Sequence, residues 1–134
     1  MTKSDRIDVY LVAGGKFHNI DHARVELLKL LAEQPRIKVL VGADFSDIDA
    51  ICASDFLITY TCDVIPTPAE TSRLVDFVNS GKKWFALHGT NSILRYVKGR
   101  GWEAPREART FMETLGSQFI AHPPIAPYRV EVTQ

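Results

Sequence analysis

The chain has little cysteine, no excess of either charge and no long apolar run. Two cysteines among 134 residues, Cys52 and Cys62, match neither a metal-binding nor a redox spacing. A disulfide framework is therefore not expected, and a reducing, cytoplasmic setting is. Sixteen basic and sixteen acidic residues cancel, and no run of like charge stands out. Nucleic acid and anionic membranes both require a concentrated basic face, so neither is expected as the main partner. No apolar stretch approaches the roughly 20 residues of a membrane helix. Met1 to Asp8 is polar and has no apolar core of signal-peptide kind.

What remains is the composition of an ordinary globular domain. Apolar residues make up 46% of the chain, and a chain of this size buries roughly two thirds of its unfolded surface. We expect one domain over residues 1–134. Ile7 to Ala13 is β-branched and aromatic and stops at Gly14-Gly15, a strand followed by a turn. His22 to Glu33 carries Ala23, Leu27, Leu30 and Leu31 at helical spacing, with Asn19 or Asp21 to cap it. Ile37 to Val41 and Phe56 to Tyr60 read as further strands. The near-unbroken apolarity of the latter suits a strand covered on both sides. Gly42 to Ala53 fits either a short helix around Ile48, Ile51 and Cys52 or a loop.

Thr67-Pro68-Ala69-Glu70 is a capping box with proline at the first helical position, and Gly81 is a helix stop. Trp84 to Leu87 is a fourth strand. Ser92 to Val97 begins a helix, Gly99 to Pro105 is a loop, and Arg106 to Leu115 is helical. Gln118 to Ile120 is a short strand. His122-Pro123-Pro124 is extended, and the alternating Tyr128 to Thr133 is a half-exposed strand. Strands alternating with helices predict βαβ units with parallel pairing. The resulting fold class is α/β, a flavodoxin-like parallel sheet in the order 2-1-3-4 with helices on both faces.

Ligands of such sheets bind beyond the carboxyl ends of the strands. Three loops converge there: Gly14 to His18, Thr61 to Asp63, and His88 to Ser92. Gly14-Gly15 belongs to neither a dinucleotide fingerprint nor a Walker loop. It is either a plain turn or a point where backbone must approach a ligand closely. His88 sits at a strand-to-helix turn between Ala86 and Gly89, the place where a nucleophile elbow exposes its side chain. Imidazole there suits a general base or a metal ligand; the alternative is a histidine hydrogen-bonded within the turn. His18, His88 and His122 form a candidate divalent-metal set, zinc being the obvious ion, although their spacing fits no compact motif. Cys62 beside Asp63 lacks the electropositive setting of a reactive thiolate. Asp63 either orients a histidine or caps a turn.

Five segments, in this order, resemble the ThuA-like (trehalose-utilisation) family. They are G-G-K-F-H, D-F-L-I-T-Y-T-C-D, V-N-S-G-K-K, W-F-A-L-H-G-T and L-G-S-Q-F-I-A-H-P-P, and the resemblance spans Ile7 to Val132. It implies a sheet of the class I glutamine amidotransferase type. His88 in Ala86-Leu87-His88-Gly89-Thr90 stands where the amidotransferase cysteine would be, so glutaminase activity is not expected. It further implies a part in the use of trehalose-like disaccharides through keto-sugar intermediates. Catalytic roles fall to His88 and Asp63, and Gly14, Gly15, His18, Thr61, Gly89, Thr90 and His122 fall to ligand binding. The partner expected is a small carbohydrate-like ligand. Family members continue well past this point, which implies a C-terminally incomplete sheet and an edge open to homo-oligomer formation. Two other readings stay open: a metal-dependent hydrolase or isomerase, and a non-catalytic subunit that binds a sugar or a partner protein.

Overall fold

The computed structural model describes residues 5–133. Strands β1 (Ile7–Gly15), β2 (Ile37–Gly42), β3 (Phe56–Cys62) and β4 (Lys83–Leu87) form one parallel sheet. Its order is β2-β1-β3-β4, as the sequence predicts. Helices α1 (Ile20–Ala32), α2 (Ile48–Ala53), α3 (Pro68–Asn79) and α4 (Arg109–Leu115) flank it. A separate antiparallel hairpin joins β5 (Arg95–Val97) to β6 (Gly101–Glu103).

Alternation along β1 splits the core in two. Val9, Leu11 and Ala13 face α1 and pack with Ile58, Leu31, Leu27 and Leu28. Tyr10 and Val12 face the other way, against Ile51 of α2, Leu74 and Phe77 of α3, and Phe111 and Met112 of α4. Helices thus cover both faces, but unequally. The single helix α1 leaves Phe85 of β4 exposed on its side of the sheet. Within α1 the buried stripe includes Leu28, whereas Leu30 points to solvent.

The helix signals act as read. Asn19 Oδ1 accepts from the His22 amide at 3.1 Å. At α3, Thr67 Oγ1 accepts from the Glu70 amide at 3.2 Å while Glu70 accepts from the Thr67 amide at 2.7 Å, so both arms of the capping box are closed.

Five local expectations are corrected. Ser92 to Val97 is not helical, and the expected loop from Gly99 to Pro105 contains a strand. The two stretches meet as the hairpin, with Tyr96 paired to Trp102. Its tight turn uses left-handed Gly99 and Gly101, at φ 84° and 85°. The last helix starts at Arg109 rather than Arg106, because Ala108 takes a left-handed φ of 48°. Gln118 to Ile120 and Tyr128 to Thr133 are not strands. Tyr128, Val130 and Val132 alternate as a strand would, but no described strand pairs with them, and a lone extended segment gains no ladder.

Gly14 and Gly15 have a packing role. A Cβ on Gly14 would collide with the Ala43 carbonyl oxygen, and one on Gly15 with that of Cys62; Gly15 also adopts φ 107°. The close approach is between protein backbones. Gly15→Ala is therefore expected to destabilise the fold far more than Thr67→Ala. The latter removes one cap and should cost about 1 kcal/mol, and urea unfolding of both variants checks the order.

Candidate functional site

β1, β3 and β4 are neighbours, so the loops that leave their carboxyl ends converge. A cavity of about 640 Å³ opens there. Its walls include Phe17 and His18 from the first loop, Cys62 at the end of β3, and His88, Gly89 and Asn91 from the elbow. Trp102 and Glu103 of the hairpin and the stretch Phe119 to His122 complete it. The structure therefore brings together four of the predicted residues, His18, His88, Gly89 and His122.

The pair His18 and His88 is the chemical centre of this cavity. Their ring centroids lie 4.5 Å apart at 72°. Tyr60 backs both: it stacks on His88 at 6.1 Å and 28°, and meets His18 edge-on at 6.3 Å. Gly89, at φ 71°, makes the pairing possible. A Cβ there would press on the Thr61 carbonyl and sit 3.4 Å from His18 Nε2. Burial lowers the pKa of His18 below its ordinary 6.5, and the nearby His88 charge lowers it further. His88 itself is exposed.

The elbow is held from beneath by a relay of hydroxyls. Trp84 Nε1 donates to Thr59 Oγ1 at 3.0 Å. Thr59 Oγ1 lies 3.1 Å from Thr90 Oγ1, which donates to the Leu87 carbonyl at 2.6 Å. Thr90 is buried in this relay and does not line the cavity. Thr61 is also fully buried, and its Oγ1 has no protein partner.

Asp63 takes the second of its two sequence-based roles, that of a cap. Its side chain is 3% exposed. Oδ2 accepts from Lys16 Nζ at 2.6 Å; Oδ1 accepts from the Leu94 amide at 2.9 Å and from Arg95 at 3.2 Å. Its own amide donates to the Ser92 carbonyl at 3.1 Å, and its φ is 58°. Burial alone would raise the carboxyl's pKa, but the Leu94 amide, Lys16 and Arg95 together outweigh it and bring it below 3.8. Asp63 thus ties three loops together without lining the cavity.

Burial and the neighbouring Asp63 charge push the Cys62 thiol up, against a smaller opposing pull from Lys16. The thiol is held protonated, the reverse of an activated nucleophile. His122 is exposed, and its Nδ1 donates to the Pro123 carbonyl at 2.7 Å. Among the described residues, no three His, Cys, Asp or Glu side chains are gathered as a metal-binding group. No described helix is long and apolar enough to cross a membrane.

Sequence reasoning missed Phe17, Tyr60 and Trp102 as site residues. Phe17 takes φ 67°, uncommon for a bulky side chain and costing on the order of 1–3 kcal/mol. Only its place directly after Gly14-Gly15-Lys16 hinted at such a turn. Trp102 was unreadable because the hairpin that carries it was unreadable.

Comparison with protein families, with characterised proteins and with solved structures finds no match to this chain.

Asp63→Ala should lower stability by about 2 kcal/mol, because it leaves the Leu94 amide without its acceptor beside a void and releases the half-exposed Lys16 and Arg95 to solvent. Asp63→Asn should lose less, since it keeps an acceptor for Leu94. The native carboxyl's pKa is depressed, so its contribution is complete above pH 3.8 and is lost as the pH falls below that value. Acid unfolding of the wild type should carry this limb, and that of Asp63→Asn should lack it.

Proposed function

We propose that this chain binds a small, polar, carbohydrate-like ligand in the cavity and acts on it by proton transfer, as a ThuA-like protein would. The observation that carries the reading is the imidazole pair at 4.5 Å within a cavity of ligand size. Imidazole exchanges protons near neutral pH, which suits ligands whose hydroxyls and carbonyls need both an acid and a base. Two imidazoles this close resist double protonation, and the depressed pKa of His18 assigns it the neutral form. His88, exposed to the cavity, is the group that takes a proton from the ligand or returns one. His18 beside it is the neutral hydrogen-bonding partner. With Cys62 held as a thiol, covalent thiolate chemistry of the amidotransferase kind has no support in this cavity.

The test is His88→Ala with trehalose, glucose and their keto derivatives as probes, read by NMR for both binding and conversion. Removal of a general acid or base should reduce conversion about a hundredfold or more. Stability should stay within about 1 kcal/mol, as for an exposed side chain. A variant that melts far lower yet converts normally would assign His88 a structural role. Failure of every sugar to perturb the His18 and His88 ring resonances would sink the carbohydrate reading.

A separate prediction concerns His18. Its pKa is depressed, so the folded state favours the neutral ring. The stability this gives is complete above pH 6.5 and declines as the pH drops below it. In His88→Ala the neighbouring charge is gone, and the His18 ring should titrate closer to 6.5 in a proton NMR series.

A further inference from the structure

A second cavity, of about 690 Å³, lies between the start of α3 and the start of α4, and neither imidazole lines it. Three hydroxyl residues do: Thr71 and Ser72 of α3 and Thr110 of α4. None of the three hydroxyls has a hydrogen-bond partner among the described residues. Ser72 and Thr110 are exposed, so water satisfies them. Thr71 is different, because it is only 8% exposed. Its neighbours in the first turn are committed elsewhere, with Thr67 and Glu70 closing the capping box on each other. A polar group held that deep without a partner costs free energy unless something in the cavity meets it.

Two guanidinium groups share the same walls. Arg109 gives its Nε to Glu113 at 2.7 Å, and its terminal nitrogens have no described partner. Arg95 gives Nη1 to Asp63 and to the Leu94 carbonyl, and Nη2 to Glu107 at 3.2 Å. Glu107 is also on the wall and half-exposed, and its contact is longer than the roughly 2.7–2.9 Å of a strong charge-assisted bond. A carboxylate of this chain thus rests loosely where an outside anion would bind. Two guanidinium groups repel a metal ion. With hydroxyls from two helices beside them, they suit the tetrahedral oxygens of a phosphate better than the two coplanar oxygens of a carboxylate. The rest of the wall is apolar, with Ile65, Val75 and Phe111, and the cavity is larger than a phosphate ion fills.

We propose that this second cavity binds a phosphate monoester with an apolar body, and that its occupancy is felt at the first cavity through Arg95. The link is one side chain long. Arg95 lines the second cavity and holds Oδ1 of Asp63, while Lys16 holds Oδ2 and directly precedes Phe17 and His18. A phosphate that displaces Glu107 and draws the Arg95 fork toward itself weakens the hold on Asp63. The Leu94 amide shares Oδ1 with Arg95 and reports the change. The inference does not depend on the sugar reading of the first cavity.

The experiment titrates the chain with phenyl phosphate, inorganic phosphate, sulfate and phenol, followed by amide and histidine-ring NMR. Phenyl phosphate should shift the Thr71 and Thr110 amides and bind about tenfold more tightly than inorganic phosphate, because its ring buries apolar surface. The Leu94 amide and the His18 ring should move along the same saturation curve. Arg109→Ala should weaken phenyl phosphate about tenfold, the loss of a hydrogen bond to a charged group. The Arg109 side chain is 89% exposed, so this variant should melt as the wild type does. Thr71→Val keeps the shape of the side chain and should weaken binding about threefold while melting no lower. Glu107→Gln removes the competing carboxylate and should tighten binding. Weak shifts of equal size with sulfate and phosphate, unchanged in Arg109→Ala, would mean an adventitious ion only and overturn the site. Phenol bound as tightly as phenyl phosphate overturns the phosphate assignment. Shifts confined to His18, His88 and Asn91 place the ligand in the first cavity and overturn the proposal as well. Saturation at Thr71 and Thr110 with Leu94 and His18 unmoved overturns the link through Arg95.

Discussion

The arrangement of the site depends on one buried carboxylate. Asp63 leaves β3 in a left-handed turn and is met by Lys16 from the loop after β1 and by Leu94 and Arg95 from the segment after the elbow. Arg95 continues to Glu107 at 3.2 Å, so the approach to α4 is tied to the same centre. A carboxylate buried with two cations and an amide is stable only while all of its partners stay in place. The histidine loop, the elbow and the hairpin are therefore positioned as a unit. Phe17 and His18 lie one and two residues past Lys16, and Tyr96 lies one past Arg95.

Much of the fold was legible because its signals are local and agree with one another. Strand composition, the Asn19 cap, the Thr67 box and the alternation of strand with helix all point to a parallel sheet. The helix expected at Ser92 failed for a physical reason. Residues 92 to 97 are apolar at four of six positions, too short and too dense to show a period before Gly99, and their conformation is decided by tertiary contacts, chiefly Asp63 and the pairing of Tyr96 with Trp102. Tyr128 to Thr133 failed in the opposite way. Its alternation is genuine, but a strand needs a neighbour, and sequence pattern cannot supply one.

The site was legible in position more than in role. Convergence of three loops followed from strand order, and it places His18 and His88 together. Thr61 is buried with no protein partner for its hydroxyl, whereas Gly14, Gly15 and Thr90 belong to the same loops and serve the scaffold. Their small or hydroxylated side chains satisfy close backbone approaches and a buried relay instead of lining the cavity. From sequence alone, a glycine that admits a ligand and one that admits another strand look the same, since both need the space of a missing Cβ.

Charge at this sheet end is centred on Asp63 rather than on the cavity. Lys16 and Arg95 flank the carboxylate, and neither lines the cavity wall. Asp63 pairs with both, so the loops gain order without leaving the cavity strongly positive. Burial, aided by the same carboxylate, raises the pKa of the adjacent Cys62 thiol on the cavity wall. Burial lowers the pKa of His18, Gly89 provides the room for its ring, and His88 and His122 are the exposed imidazoles of the cavity wall.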